Sequence, residues 1–167
     1  MFYKTRTYIA GAWEEDSDAI KQLYKWKDSD YWSFDFVDAH ELKQSRDTSN
    51  SCSIKKSLCD RMQHSKIFVL IAGRKTCTVR SGSCQFCSHY YNGRCYKGNN
   101  VSFDSYIDYE CRKAVRDNMK IIVLYNSCYV FKDWCPSILR DKGIHIAMKD
   151  SYGWNYQKVK NAFDAYE

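Results

Sequence analysis

The sequence predicts an α/β fold, a parallel sheet sandwiched between two layers of helices, and three observations predict it. Apolar runs short enough for strands alternate along the chain with stretches of helical spacing. Two of the runs, Lys66 to Gly73 and Lys120 to Tyr125, are apolar without alternation, as strands covered on both faces are. A single proline and only seven glycines in 167 residues argue against a disordered or repetitive chain. With five strands and right-handed crossovers, few topologies remain. The commonest is the flavodoxin-like three-layer sandwich with strand order 2-1-3-4-5.

Thr5 to Ala12 reads as the first strand. It ends in the small residues Ala10 and Gly11, which let a ligand or a neighbouring backbone come close. After Trp13, Asp16 or Ser17 caps a helix from about Asp18 to Trp26, with Ile20, Leu23, Tyr24 and Lys27 on its inner face. Trp32 to Val37 alternates large apolar and small polar side chains and is the second strand. Asp38 to Ser51 is a long polar stretch, and loops of that length are usually functional or disordered. A helix from about Ser53 to Gln63 buries Ile54, Leu58 and Met62, and Lys66 to Gly73 is the central strand.

Arg74 to Val101 is a polar, cysteine-rich excursion after the third strand, with its insert at about 76–101. Ser102 to Lys120 reads as a helix with an apolar stripe of Ile107, Cys111, Ala114 and Val115. Ser102 and Asp104 are its candidate N-caps, and Lys113, Arg116 and Lys120 gather where the helix dipole favours cations. Lys120 to Tyr125 is the fourth strand. Asn126 to Lys142 is irregular, carries the lone Pro136 and has room for a short helix. Gly143 to Met148 is the fifth strand, and Asn155 to Tyr166 is a closing helix with Val159, Ala162 and Phe163 inward.

The length suits one domain over 1–167. No apolar run is long enough for a bilayer, and the N-terminal residues lack a signal-peptide core, so a soluble cytoplasmic protein is expected. Basic residues exceed acidic ones, 26 to 20. They are dispersed rather than arranged in a stripe, which suits an anionic ligand such as a dinucleotide better than nucleic acid. The nine cysteines are expected as free thiols in a reducing compartment, and Cys59, Cys111 and Cys128 lie in or beside apolar segments as small hydrophobes. Within the excursion, Cys77, Cys84, Cys87 and Cys95, with His89 nearby, include a Cys-x-x-Cys pair. They read either as a tetrahedral structural zinc site or as plain thiols.

In such sheets ligands sit beyond the carboxyl ends of the strands. That rim carries Ala10 to Trp13, the polar stretch 38–51, Gly73 onward and the start of the helix bearing Glu110, with Tyr106 one turn earlier. A carboxylate and a ring on adjacent turns can share a pocket wall; the plainer reading of Glu110 is a surface residue. Arg46 suits phosphate oxygens, and Asp47 can order its own loop. Trp13 either stacks on a base or plugs the sheet edge. His40 is a loop residue that either touches ligand or is solvated, His145 reads as packed in its strand, and Tyr109 as core.

Several segments resemble a known group. Asp38-Ala-His-Glu-Leu, Ser45-Arg-Asp-Thr-Ser, Ile54-Lys-Lys-Ser-Leu-Cys-Asp-Arg-Met and Ser65-Lys-Ile-Phe-Val-Leu-Ile-Ala-Gly are similar to the bacterial and archaeal TIR-like family that includes the TIR proteins of Thoeris antiphage systems. Tyr106-Ile-Asp-Tyr-Glu110 resembles that family's aromatic-x-x-aromatic-Glu signature. The resemblance implies a TIR-type fold in which Glu110 is the catalytic carboxylate that cleaves the nicotinamide–ribose bond of NAD. NAD is then substrate, with no further cofactor required. Tyr106 stands where the family usually has Trp. Trp13 and Glu15 match its aromatic and acidic positions after the first strand, and residues 38–51 match a loop that helps form homotypic assemblies. The implied product is ADP-ribose or a cyclic ADP-ribose signal read by a downstream effector. Two other readings stand beside it: a nucleoside deoxyribosyltransferase-like enzyme, suggested by Tyr8-Ile-Ala-Gly11, and a non-catalytic TIR-like interaction module.

Overall fold

The computed structural model describes residues 6–29, the backbone of 35–38, and residues 51–166. Five parallel strands form the main sheet: β1 (Arg6–Ala10), β2 (Asp35–Asp38), β3 (Ile67–Ala72), β4 (Lys120–Tyr125) and β5 (Ile144–Ala147). They lie in the order β2-β1-β3-β4-β5. Registers such as Tyr8 opposite Phe68 and Val69 opposite Ile122 tie the three central strands. All six residues of β3 are buried, as its unbroken apolar run requires.

Alternate side chains of the strands feed two cores. On one face Tyr8, Phe68, Leu70, Val123 and Tyr125 pack against α2 (Ser51–Gln63) and α3 (Tyr106–Arg116). On the other, Ile9, Val69, Ile71, Ile122 and Leu124 pack against α1 (Ser17–Lys27) and α4 (Tyr156–Asp164). Among the described residues no helix is long and apolar enough to cross a membrane.

The helix ends differ from the sequence reading in physically simple ways. α3 starts four residues later than expected, because Ser105, not Ser102 or Asp104, turns its Oγ to accept the Asp108 N–H at 3.1 Å. Asp16 holds the N-cap position of α1, yet its side chain makes no capping bond. α1 buries Ala19 and Trp26 beside Ile20 and Leu23, while Tyr24 and Lys27 are only half-buried. Trp26 is drawn in by rings, meeting Trp154 and Tyr156 edge-on at 6.4 and 5.6 Å. The region 126–142 forms two 3-10 turns, Lys132–Trp134 and Ser137–Leu139, in place of a helix. α4 buries Val159, Ala162 and Phe163, as its spacing requires.

Candidate active site

Glu110 is the fifth residue of α3, and its side chain is completely buried. A surface glutamate is therefore the wrong reading of this position. The helix presents Tyr106, Ile107, Glu110, Cys111, Lys113 and Ala114 inward, so the carboxylate lies on the apolar face. There it accepts a hydrogen bond from the Tyr8 hydroxyl at 2.5 Å. Tyr8 sits in the middle of β1 and is itself held by stacking on Phe68, 6.1 Å between centroids. Carboxylate and phenol are thus fixed from two elements 102 positions apart, on the sheet face that also carries Ala10 and Ala12.

Tyr106 shares that face but is nearly buried, with its ring lying where a side chain at Gly82 would go. Burial raises its phenol above the usual range. Trp13 does not join the group. It packs against the α1 and α4 core, on the opposite face of the sheet from Glu110. Gly11 faces the same way, its missing side chain leaving room for Ile71 and Ile20. Arg46, Asp47 and His40 lie outside the described residues, as does nearly all of the 38–51 stretch.

His145 is packed in the sheet, with both ring nitrogens engaged. Nε2 lies 3.0 Å from the carbonyl of Leu139 and 2.9 Å from that of Lys142, so it carries the proton. Nδ1, 2.8 Å away, accepts from the Tyr125 hydroxyl. Burial lowers its basicity further. This is a neutral structural histidine.

The carboxyl ends of β1, β3 and β4 hold a second polar group that sequence reading missed. Asp16, Asn126, Glu15, Arg74, Lys75 and Trp134 line a cleft of about 250 Å³. Asn126 Nδ2 donates to Asp16 and to Asp18, each at 2.9 Å. The Asp16 carboxylate rests directly over Gly73, where any side chain would strike it. Only a cap was expected of Asp16; the residue leaves that role because Gly73 and Asn126 offer its carboxylate a packed seat.

Burial raises the Asp16 carboxyl above its usual value. The folded protein therefore binds this proton more tightly than the unfolded chain. The group's contribution is most favourable below the unfolded value and is lost as pH rises through the folded one. Asp16→Asn keeps the acceptor for Asn126 and removes the buried charge. It is expected to raise the melting temperature at about pH 7, with the gain shrinking toward about pH 4. Thermal melts at the two values check this, and an equal or inverted difference would refute it.

The cysteines of the insert divide. Cys77 Sγ contacts the carbonyl of Trp134 at 3.3 Å and stands apart from the others. Cys84 opens a 3-10 turn that ends at Cys87, and Cys95 follows on the hairpin of Tyr90–Tyr91 and Arg94–Cys95. Cys52 of α2 lines one cleft with Cys84, a neighbour that spacing along the chain does not reveal.

The first three strands, α1, α2 and the entry to the insert carry a family match. Residues 7–81 match the family described as Thoeris protein ThsB, TIR-like domain. Over these residues, somewhat less than half of the chain, it resembles a Thoeris-type TIR-like domain. No curated protein matches it. The TIR-like match includes Tyr8 and ends before Glu110, so the carboxylate enters the site from the part of the chain beyond the matched segment.

Proposed function

We propose that this TIR-like protein cleaves the nicotinamide–ribose bond of NAD, with Glu110 as the catalytic carboxylate. The observation that carries the reading is the pairing of Glu110 on α3 with the Tyr8 hydroxyl on β1, within a TIR-like sheet. Nicotinamide is cationic in NAD and leaves neutral, so its departure needs no general acid. Positive charge then builds on the ribose. A fixed carboxylate beside the sugar offsets that charge and can orient or deprotonate the attacking nucleophile. Water as nucleophile releases ADP-ribose. The adenosine part of the same molecule closes a cyclic ADP-ribose, which fits a signal passed to an effector in antiphage defence.

Tyr8 is a positioning residue in this scheme, because its hydroxyl aims the carboxylate. Tyr8→Phe is expected to lower kcat about tenfold with KM little changed. Since Glu110 is fully buried, substrate reaches it only after neighbouring side chains open. Homotypic assembly is the event proposed to open the site, so turnover is expected to rise steeply with protein concentration. The test is incubation with NAD over a wide range of protein concentrations, with nucleotides read by mass spectrometry and deoxynucleosides as the parallel substrate. Release of free base from deoxynucleosides alone would assign the carboxylate to deoxyribosyl transfer instead.

The same burial favours a second reading, a non-catalytic TIR-like interaction module in which Glu110 and Tyr8 tie α3 to β1. Under that reading NAD is untouched at every concentration, while loss of the pair weakens the fold.

A further inference from the structure

We infer that Cys52, Cys84, Cys87 and Cys95 form a tetrathiolate site for a structural zinc ion that fastens the insert to α2. Between residues 77 and 101 only Ser83 and Cys84 are buried, while Phe86, Tyr91 and Tyr96 are largely exposed. Such a segment has no apolar core, yet it folds into a tight turn and a hairpin. Chain pieces of this size without a core are held by a disulfide or a metal. Cys52, Cys84, Cys87 and Cys95 are in no disulfide.

The thiols stand where a metal would use them. Cys84 and Cys87 bracket one tight turn, closed by the Cys87 N–H to the Cys84 carbonyl at 3.0 Å. Cys95 opens a second turn, closed by the Gly98 N–H to its carbonyl at 3.0 Å. A backbone N–H points at one of the sulfurs: Ser102 donates to Cys84 Sγ at 3.3 Å. Cys52 and Cys84 line one cleft, and Cys87 and Cys95 are brought together through Tyr90, whose N–H donates to the Cys87 carbonyl at 3.1 Å and which pairs with Cys95 across the hairpin. Amides aimed at sulfur stabilise the deprotonated form that a metal requires.

The surroundings tie α2 to the end of the insert. Lys55, one turn along α2, is buried, its Nζ bonded to the Asp104 carbonyl at 2.8 Å and to Ser102 Oγ at 3.5 Å. A cleft of about 290 Å³ lined by Cys52, Cys84, Lys55 and Ser102 leaves room for the side chains to turn. As they stand, no three His, Cys, Asp or Glu side chains among the described residues are drawn to a metal's coordination spacing. Cysteine sulfur moves by rotation about one bond, and binding of the ion draws the set together. Four soft thiolates select zinc over the harder divalent ions. Cys77, the fourth ligand that the sequence suggested, is replaced by Cys52.

Elemental analysis of the full chain, expressed with zinc and purified under reducing conditions, is expected to give one zinc per chain. Cys77→Ser should keep that zinc and Cys52→Ser should lose it. Cobalt loading should produce the charge-transfer and d–d bands of an all-sulfur tetrahedral site. Because Cys52→Ser can also loosen α2, the wild-type protein supplies an independent readout. Alkylation followed by peptide mass spectrometry should find Cys52, Cys84, Cys87 and Cys95 protected until a chelator is added, while Cys128 labels throughout. Substoichiometric zinc, zinc retained in Cys52→Ser, zinc lost in Cys77→Ser, or Cys52 labelled as fast as Cys128 would each overturn the site.

Discussion

Replacing Glu110 by glutamine is expected to lower NAD turnover about a thousandfold, equivalent to about 4 kcal/mol of transition-state stabilisation. The side chain keeps its length and an oxygen for the Tyr8 hydroxyl, so the hydrogen bond across α3 and β1 persists. Only the charge is lost, and charge is what the emerging ribosyl cation needs. Removing a buried charge while retaining its hydrogen bond costs the fold little, so the melting temperature should move by no more than a few degrees. This split separates the two readings. A catalytic carboxylate gives collapsed turnover in a protein that melts normally, whereas a purely structural one gives no turnover to lose. NAD consumption by the two proteins at matched concentration is the measurement. A Gln variant retaining more than about a tenth of wild-type turnover would remove Glu110 from the chemistry.

Much of the fold was legible because burial writes itself into spacing. β3 reads as a six-residue apolar run, and α4 as Val159, Ala162 and Phe163 at helical intervals. Where a partner far along the chain decides the outcome, spacing is silent. Trp26 is buried by Trp154 and Tyr156, so the inner face of α1 turns toward it rather than toward Lys27. Tyr8 stands in an apolar strand like any core tyrosine, and only Glu110, 102 positions away, gives its hydroxyl a purpose. Glu110 itself was singled out by family likeness, since helical spacing placed it beside the stripe rather than on it. Cys52 lies 32 positions before Cys84 with no motif between them, so the Cys-x-x-Cys pair was visible and its partner in α2 was not. Asp16 illustrates the reverse error: it has the right residue type for a cap, but folding gives its carboxylate another seat, over Gly73.

Gly143→Ala is expected to be the most damaging small substitution in the sheet. Gly143 leads into β5 with φ +73, a left-handed conformation that costs other residues about 1 kcal/mol. A Cβ there would lie 2.1 Å from the Ile121 carbonyl oxygen. That oxygen belongs to the backbone of β4 and also accepts the Tyr166 hydroxyl at 3.0 Å, so it cannot swing aside without shifting the strand. The combined cost should reach about 3 kcal/mol, lowering the melting temperature by roughly 6–12 °C for a chain of this size. Gly93 supplies the control. Its φ is nearly the same at +79, but nothing lies within 4 Å of the position a Cβ would take. Gly93→Ala therefore bears only the conformational cost, about 1 kcal/mol. Paired melts of the two variants isolate the steric part: a Gly143→Ala loss no larger than that of Gly93→Ala would mean that β5 can slide away from β4, and that the β4–β5 edge is looser than its register implies.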